Sequence, residues 1–310
     1  MKSETVKSTE DEIRYLIMGM RAAYARGDNA MAWARANSSG EGNSIASALI
    51  AYDLQAGSYV TWARENFHYN VKWCTQLAEL IQPYLATGDS VMEVGVGEAT
   101  TLAGVMKSIN RPDLATLGFD VSWSRIRVAQ EWVMENSVSA RLFVGDLFHI
   151  PLANNSIDVI YTAHSLEPNG GREVAAIAEL LRVARKAVVL VEPIYELASE
   201  FGQKRMAENG YVRGLKSTAE QLGAIVVDYR LLEVCDGPHN PSGVVCMVKP
   251  NSQTGNAKQG WCWQCPMTSA PLVDLGDVFY AKQVGIAYPV MRGVPLLRAE
   301  HAVVASKVDG

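Results

Sequence analysis

The run Val91-Met92-Glu93-Val94-Gly95-Val96-Gly97-Glu98-Ala99-Thr100 sets two glycines between an apolar stretch and a helical one. A strand-to-helix turn of this kind aims backbone N–H groups and a helix N-terminus at a ligand beyond the sheet edge. Gly95 suits a tight turn and Gly97 a close approach of backbone to ligand, and neither place tolerates a β-carbon easily. Asp120 ends the next apolar run, about 20 residues further on, where a carboxylate accepts hydrogen bonds from both hydroxyls of a ribose. A dinucleotide fingerprint needs Gly or Ala three residues after the second glycine. Thr100 stands there, which disfavours a nicotinamide cofactor.

The acid two places before the first glycine completes Glu93-x-Gly95-x-Gly97-x-Ala99. Gly145-Asp146-Leu147 closes the third apolar run, and Ser156-Ile157-Asp158-Val159-Ile160-Tyr161 forms the fourth. This combination resembles the class I S-adenosylmethionine-dependent methyltransferases over about residues 85–250, with Ala99 in place of the family's usual third glycine. The resemblance implies S-adenosylmethionine as cofactor, held by Glu93, Gly95, Gly97, Asp120, Val121, Asp146 and Leu147, with Asp146 reaching the adenine amino group. The plainer alternative for Asp120 and Asp146 is that they cap turns. Asp158 reads as a structural acid near the start of its strand.

Methyl transfer from a sulfonium is an in-line displacement, so the protein positions two reactants and removes a proton from the acceptor when one must leave. Groups for that work belong beyond the carboxyl ends of strands four and five. There lie Ala163-His164-Ser165-Leu166-Glu167-Pro168-Asn169-Gly170-Gly171 and Glu192-Pro193-Ile194-Tyr195-Glu196. His164 is the group in these loops whose ordinary pKa suits a general base near neutrality, the alternative being a packed structural histidine. Glu167, Asn169, Glu192 and Tyr195 read as a hydrogen-bonding pocket for a polar acceptor, although Asn169 also suits a helix cap. His239 is expected to contribute from a later loop. Asn240, Tyr52, Gln55 and Tyr59 are further candidates for closing the pocket. Trp62, Phe67 and Trp73 read as a packing face. Lys204, Arg205, Arg213 and Lys216 read as a solvated helix face, or else as a site for a phosphate-bearing substrate.

The elements that hold these residues follow from periodicity. Residues 1–85 carry helical spacing (11–35, 44–66 and 69–85) and are expected to form an N-terminal helical cap, with Ile13, Leu16, Ile17, Met20 and Tyr24 on one apolar face of the first helix. Residues 86–250 alternate strand-like and helical runs, which implies a parallel sheet with helices on both faces. The last two runs, 224–234 and 243–249, are joined by a turn-rich segment and suggest an antiparallel ending. The expected fold class is α/β, a Rossmann-like seven-stranded mostly parallel sheet with a helical cap and a small C-terminal β-rich module. Residues 251–260 read as a linker.

Residues 261–310 begin Cys262-Trp263-Gln264-Cys265-Pro266 and run through Gly285-Ile286-Ala287-Tyr288-Pro289 to Gly293-Val294-Pro295. This tail resembles the small zinc-ribbon-like activator of tRNA, rRNA and release-factor methyltransferases. A structural zinc takes four ligands, usually two such pairs, and no second Cys or His pair follows near 278–283, so no metal is expected. Packing against the methyltransferase domain and homodimerisation are the two roles expected of it.

The chain has 310 residues, of which 48% are hydrophobic and 20% charged, with net charge −5. No strongly basic segment is present, which counts against nucleic acid as partner. No apolar run reaches the ~18 residues of a membrane-spanning helix, and the polar start lacks a secretory core, so a cytoplasmic location is expected. Five cysteines, an odd and mostly scattered set, read as free thiols. The function expected is methyl transfer to an oxygen or nitrogen of a small polar metabolite, such as a sugar or sugar nucleotide. The alternatives are a methyltransferase of RNA or of a translation protein, and a non-catalytic binding or scaffold protein on the same fold.

Overall fold

The computed structural model describes residues 9–37, 45–235, 240–250 and 260–308. The chain divides into two compact units, Met1–Ser58 and Tyr59–Gly310. The expected boundary near residue 85 therefore falls at 58/59.

The first unit holds α1 (Thr9–Ala25), α2 (Ala30–Asn37) and α3 (Ile45–Leu54). The single helix expected over 11–35 breaks at Gly27, whose φ of +81° is open to glycine at little cost. Asn29 restarts the chain by accepting from Ala32 N at 2.9 Å. Leu16, Met20, Ala30, Ala34 and Ala51 form the buried core. Trp33 lies so close to Gly19 that a β-carbon there would sit 1.8 Å from its ring. The apolar face of α1 is narrower than its spacing suggests: Leu16 and Met20 are buried, whereas Ile13, Ile17 and Tyr24 are exposed.

The second unit opens with α4 (Ser58–Glu65) and α5 (Phe67–Ile81). Gly57, at φ +99°, separates α4 from α3 where one helix was expected over 44–66. Trp62 and Phe67 are exposed, against the reading of a packing face. The sheet comprises β1 (Ser90–Val94), β2 (Ala115–Asp120), β3 (Arg141–Val144), β4 (Ile157–Ala163), β5 (Ala184–Pro193), β6 (Ile225–Leu231) and β7 (Ser242–Val248). Its order is β3-β2-β1-β4-β5-β7-β6, with β7 antiparallel to both neighbours and the others parallel. This is the Rossmann-like arrangement expected.

The crossovers contain α6 (Thr100–Ile109), α7 (Trp123–Glu135), α8 (Glu173–Val183), α9 (Glu200–Glu208) and α10 (Leu215–Gln221). Between β3 and β4 the chain crosses without a helix, against the expectation of strict alternation. Strands β1 and β4 are buried on both faces, which explains their near-continuous apolar runs. Asp158 accepts from Ser90 N at 2.9 Å and from Arg185 Nη1 at 2.8 Å, tying β4 to β1 and β5 at the amino end of the sheet.

The C-terminal residues form β8 (Val273–Asp274), β9 (Val278–Ala281), β10 (Ile286–Met291), β11 (Val294–Pro295) and β12 (Val303–Val304), a small antiparallel sheet. It is not a separate body. Leu296 bridges Val144 in parallel, and Leu297 N donates to Val144 O at 2.9 Å, so the tail continues the edge of β3. Ala153 N donates to Cys262 O at 2.9 Å, and Gln264 N to Pro151 O at 3.0 Å. Phe119, Phe143, Trp263 and Phe279 pack ring on ring with successive centroids 5.3, 5.1 and 5.3 Å apart. One apolar core therefore runs from β2 through β3 into β9.

Cys265 is buried with Sγ 3.2 Å from Tyr288 Oη, while Cys262 is exposed. Among the described residues no group of three or more His, Cys, Asp or Glu is arranged to hold a metal ion, and no helix is long and apolar enough to cross a membrane.

Candidate active site

The glycine loop leaves β1 and enters α6 at the carboxyl edge of the sheet. Gly95, Gly97 and Ala99 all lie in the left-handed region, at φ +70°, +53° and +58°. A β-carbon on Gly95 would stand 2.3 Å from Ser165 Cβ, so the loop and the segment after β4 demand glycine there. Ser165 Oγ donates to Val94 O at 2.7 Å and joins the two loops. Asp120 is buried at the end of β2, where its carboxylate accepts from Gly97 N at 3.1 Å and Ser122 N at 2.9 Å. Burial raises its pKa, against those N–H groups and the Arg125 charge, which lower it.

Tyr59, a candidate for closing the pocket, lies over this loop together with Arg125, and Arg125 and Glu98 are residues the sequence did not single out. The Arg125 guanidinium is 4.3 Å from the Tyr59 ring centroid, and both lie within 4 Å of where a β-carbon on Gly97 would be. Glu98, fully buried, accepts from Val60 N at 2.8 Å and fastens the first turn of α4 to the loop. Its position beside Gly97 was the only signal in sequence. Arg125 had none, because helix spacing does not say which face turns toward a strand end.

Glu93 lies on β1. It is buried, and Tyr161 Oη donates to it at 2.7 Å. Burial pushes its pKa up to about 8 despite that bond, helped by the Asp120 charge. The bond to Tyr161 ties Glu93, one of the residues expected to hold the cofactor, to β4. Asp146 follows β3 and accepts from Phe148 N at 3.0 Å, with His149 Nδ1 3.3 Å from its other oxygen. Leu147 is buried beside it and Val121 is partly exposed after β2.

His164 follows β4 directly, with φ +56°, a strained value for a residue with a β-carbon. Its Nε2 is 2.7 Å from Ser242 Oγ, its Nδ1 3.2 Å from Glu167 Oε2, and its ring meets Trp73 edge-on at 5.7 Å. Glu192, expected to contact the acceptor, is fully buried and accepts from Ser165 N, Leu166 N and Glu167 N at 3.1 Å each. It braces the loop. Burial drives its pKa up to about 7, against the pull of His164. Asn169 likewise turns inward, donating to Ser165 O and Leu166 O at 3.3 and 3.2 Å. Tyr195 lies on the short turn after β5 with the Arg213 guanidinium over its ring. His239 is outside the described residues. Asn240 Oδ1 is buried without a hydrogen-bond partner, so this rim holds an acceptor atom in want of a donor.

Residues 91–187 match the methyltransferase domain family. No curated protein sequence matches the chain. Among solved structures, a complex between the Haloferax volcanii Trm112 methyltransferase activator and a methyltransferase aligns at TM-score 0.51 and 13% identity, over 64% of this chain and 98% of that one. An S-adenosylmethionine-dependent methyltransferase from Aquifex aeolicus aligns at TM-score 0.41 and 17% identity, over 54% and 85% of the two chains. Magnesium protoporphyrin IX methyltransferase from Synechocystis PCC 6803, with bound S-adenosylhomocysteine, aligns at 0.44 and 13%, over 76% and 97%. The match is to a methyltransferase domain over residues 91–187, and the sheet order is that of the Rossmann-like fold.

Proposed function

We propose that the protein transfers a methyl group from S-adenosylmethionine to an oxygen or nitrogen of a small polar metabolite. The observation that carries the donor side is the Asp120 carboxylate bonded to Gly97 N at the mouth of a glycine loop whose alternate residues 95, 97 and 99 are left-handed. These residues fit the cofactor chemically. Two positions without a β-carbon, Gly95 and Gly97, admit the close approach of the methionyl part, and a buried carboxylate at the next strand end suits a pair of ribose hydroxyls. Gly95, Gly97, Asp120 and Val121 would hold it, with Asp146 and Leu147 at the adenine end. Bound there, the cofactor supplies a methyl on a positively charged sulfur.

What the chain itself does is orient and deprotonate. The strained His164, braced by Glu192 through three N–H groups, presents its ring at the carboxyl end of β4. Both ring nitrogens are engaged in this conformation, so Nε2 serves as a base once the acceptor's hydroxyl takes the place of Ser242. Glu167 beside Nδ1 favours the imidazolium that results. The unpartnered oxygen of Asn240 supports a polar acceptor with a donor to offer. The carboxyl-terminal sheet, by extending the edge of β3, acts as a built-in brace for the strand that precedes Asp146.

One experiment tests both halves. Titration with S-adenosylhomocysteine should show binding that Gly95→Ala weakens by about tenfold or more, roughly 1.4 kcal/mol. His164→Ala should leave that binding unchanged and lower turnover on a hydroxyl acceptor by about 10²–10⁴. Absence of binding by the unaltered chain sinks the proposal.

A further inference from the structure

Beside the His164 loop the described residues form an open cleft of ≈ 580 Å³ between the segment after β4 and the segment after β5. The two segments are stitched together: Val212 N donates to Glu167 O at 3.0 Å and Gly170 N to Gly210 O at 3.0 Å. Gly170 has to be glycine, since a β-carbon would lie 2.4 Å from Gly210 O. Tyr211 forms one wall, its phenol raised in pKa by burial and by Glu167, whose Oε2 is also 3.2 Å from His164 Nδ1.

The cleft's cation is Arg213. Its guanidinium lies 4.5 Å from the Tyr195 ring centroid, and among the described residues no carboxylate pairs with it. Two glutamates line the same cleft and are spent differently. Glu173 Oε1 accepts from Gly171 N at 3.1 Å and Arg213 N at 2.9 Å, and Glu196 Oε1 from Gly214 N at 2.6 Å. These carboxylates fix the backbone of the cleft and leave their second oxygens to accept further hydrogen bonds. A guanidinium stacked on an aromatic face keeps its N–H edge, which matches a carboxylate or a phosphate in two parallel bonds. The volume falls in the range of metabolite sites.

We infer that this cleft binds the methyl acceptor, and that the acceptor is a hydroxylated small molecule carrying one anionic group, with Arg213 taking the anion and Glu173 and Glu196 taking hydroxyls. This inference rests on the methyltransferase reading and deepens it, because it gives the acceptor's chemical class. The anion is a phosphate or a carboxylate, and the probes below separate the two.

The test is saturation-transfer NMR on the full chain with α-D-glucose 1-phosphate, D-glucuronate and D-glucose, each with S-adenosylhomocysteine present. Either anionic sugar should bind and neutral glucose should not; the one that binds identifies the anion. Arg213→Gln should weaken that binding by about tenfold, Arg213→Lys should weaken it less, and S-adenosylhomocysteine affinity should stay the same in both variants. Binding of neither anion, equal binding of glucose, or an unchanged affinity in Arg213→Gln overturns the inference. A chain that binds the anion through Arg213 and does not bind S-adenosylhomocysteine keeps the anion cleft and loses the methyltransferase reading on which the acceptor's role rests.

Discussion

Glu93 shows how one buried carboxyl couples stability to pH. Its ordinary value is near 4.5, and burial lifts it to about 8 in the folded chain. Between those values the folded chain holds a proton that the unfolded chain releases, so this residue's contribution is fully present at acid pH. It is lost as pH rises toward about 8. The unfolding midpoint should therefore fall as pH rises from about 5 to about 9, and Glu93→Gln, which cannot titrate, should remove part of that slope. Differential scanning fluorimetry of both proteins over this range checks it. A slope identical in the two proteins shows that Glu93 is ionised in the folded state.

At the scale of elements, the consequential join is between β3 and the C-terminal sheet. The ring of Phe279 on β9 packs against Trp263, which packs against Phe143 on β3, and all belong to one core. Phe279→Ala should cost about 3–5 kcal/mol, the usual loss for a fully buried phenylalanine. The loss should appear in a single unfolding transition that includes the large sheet. Chemical denaturation followed by circular dichroism and by tryptophan fluorescence decides this. Two separate transitions, with only the minor one shifted, would show that the tail folds as a module of its own.

Across the whole molecule the two units differ in how much apolar surface they bury. Among the described residues the core cluster of the first unit holds five side chains, three of them alanine, whereas the second unit has two large clusters that meet at the sheet. Amide exchange tracks local opening, and a small core opens at lower free energy. Amides in α1–α3 should therefore exchange well before those of β1, β4 and β5, as hydrogen-exchange mass spectrometry will show. Protection in α1 equal to that of β4 would mean that the first unit has more stabilisation than its own core supplies.

The periodicity of residues 86–250 determined the sheet, its parallel core and its antiparallel ending, because strand and helix patterns are local and the central strands bury both faces. Gly95, Gly97 and Asp120 were legible for the same reason, since a turn that needs φ > 0 and a strand-end acid are written in consecutive residues. The breaks at Gly27 and Gly57 were less so, as helical spacing continues across them. Which polar residue faces a ligand was decided only by tertiary structure. Glu192 and Asn169 stand in polar loops at plausible positions, yet both turn inward, because a strained loop at the end of β4 leaves N–H and C=O groups that must find partners where water is excluded. Arg125 and Ser242 carry no local signal, and Arg213 stood out only as one of four basic residues after β5 that read equally as a solvated face. Their roles arise from residues tens of positions away that the fold brings within hydrogen-bond or stacking reach, and a linear pattern holds no record of such distances.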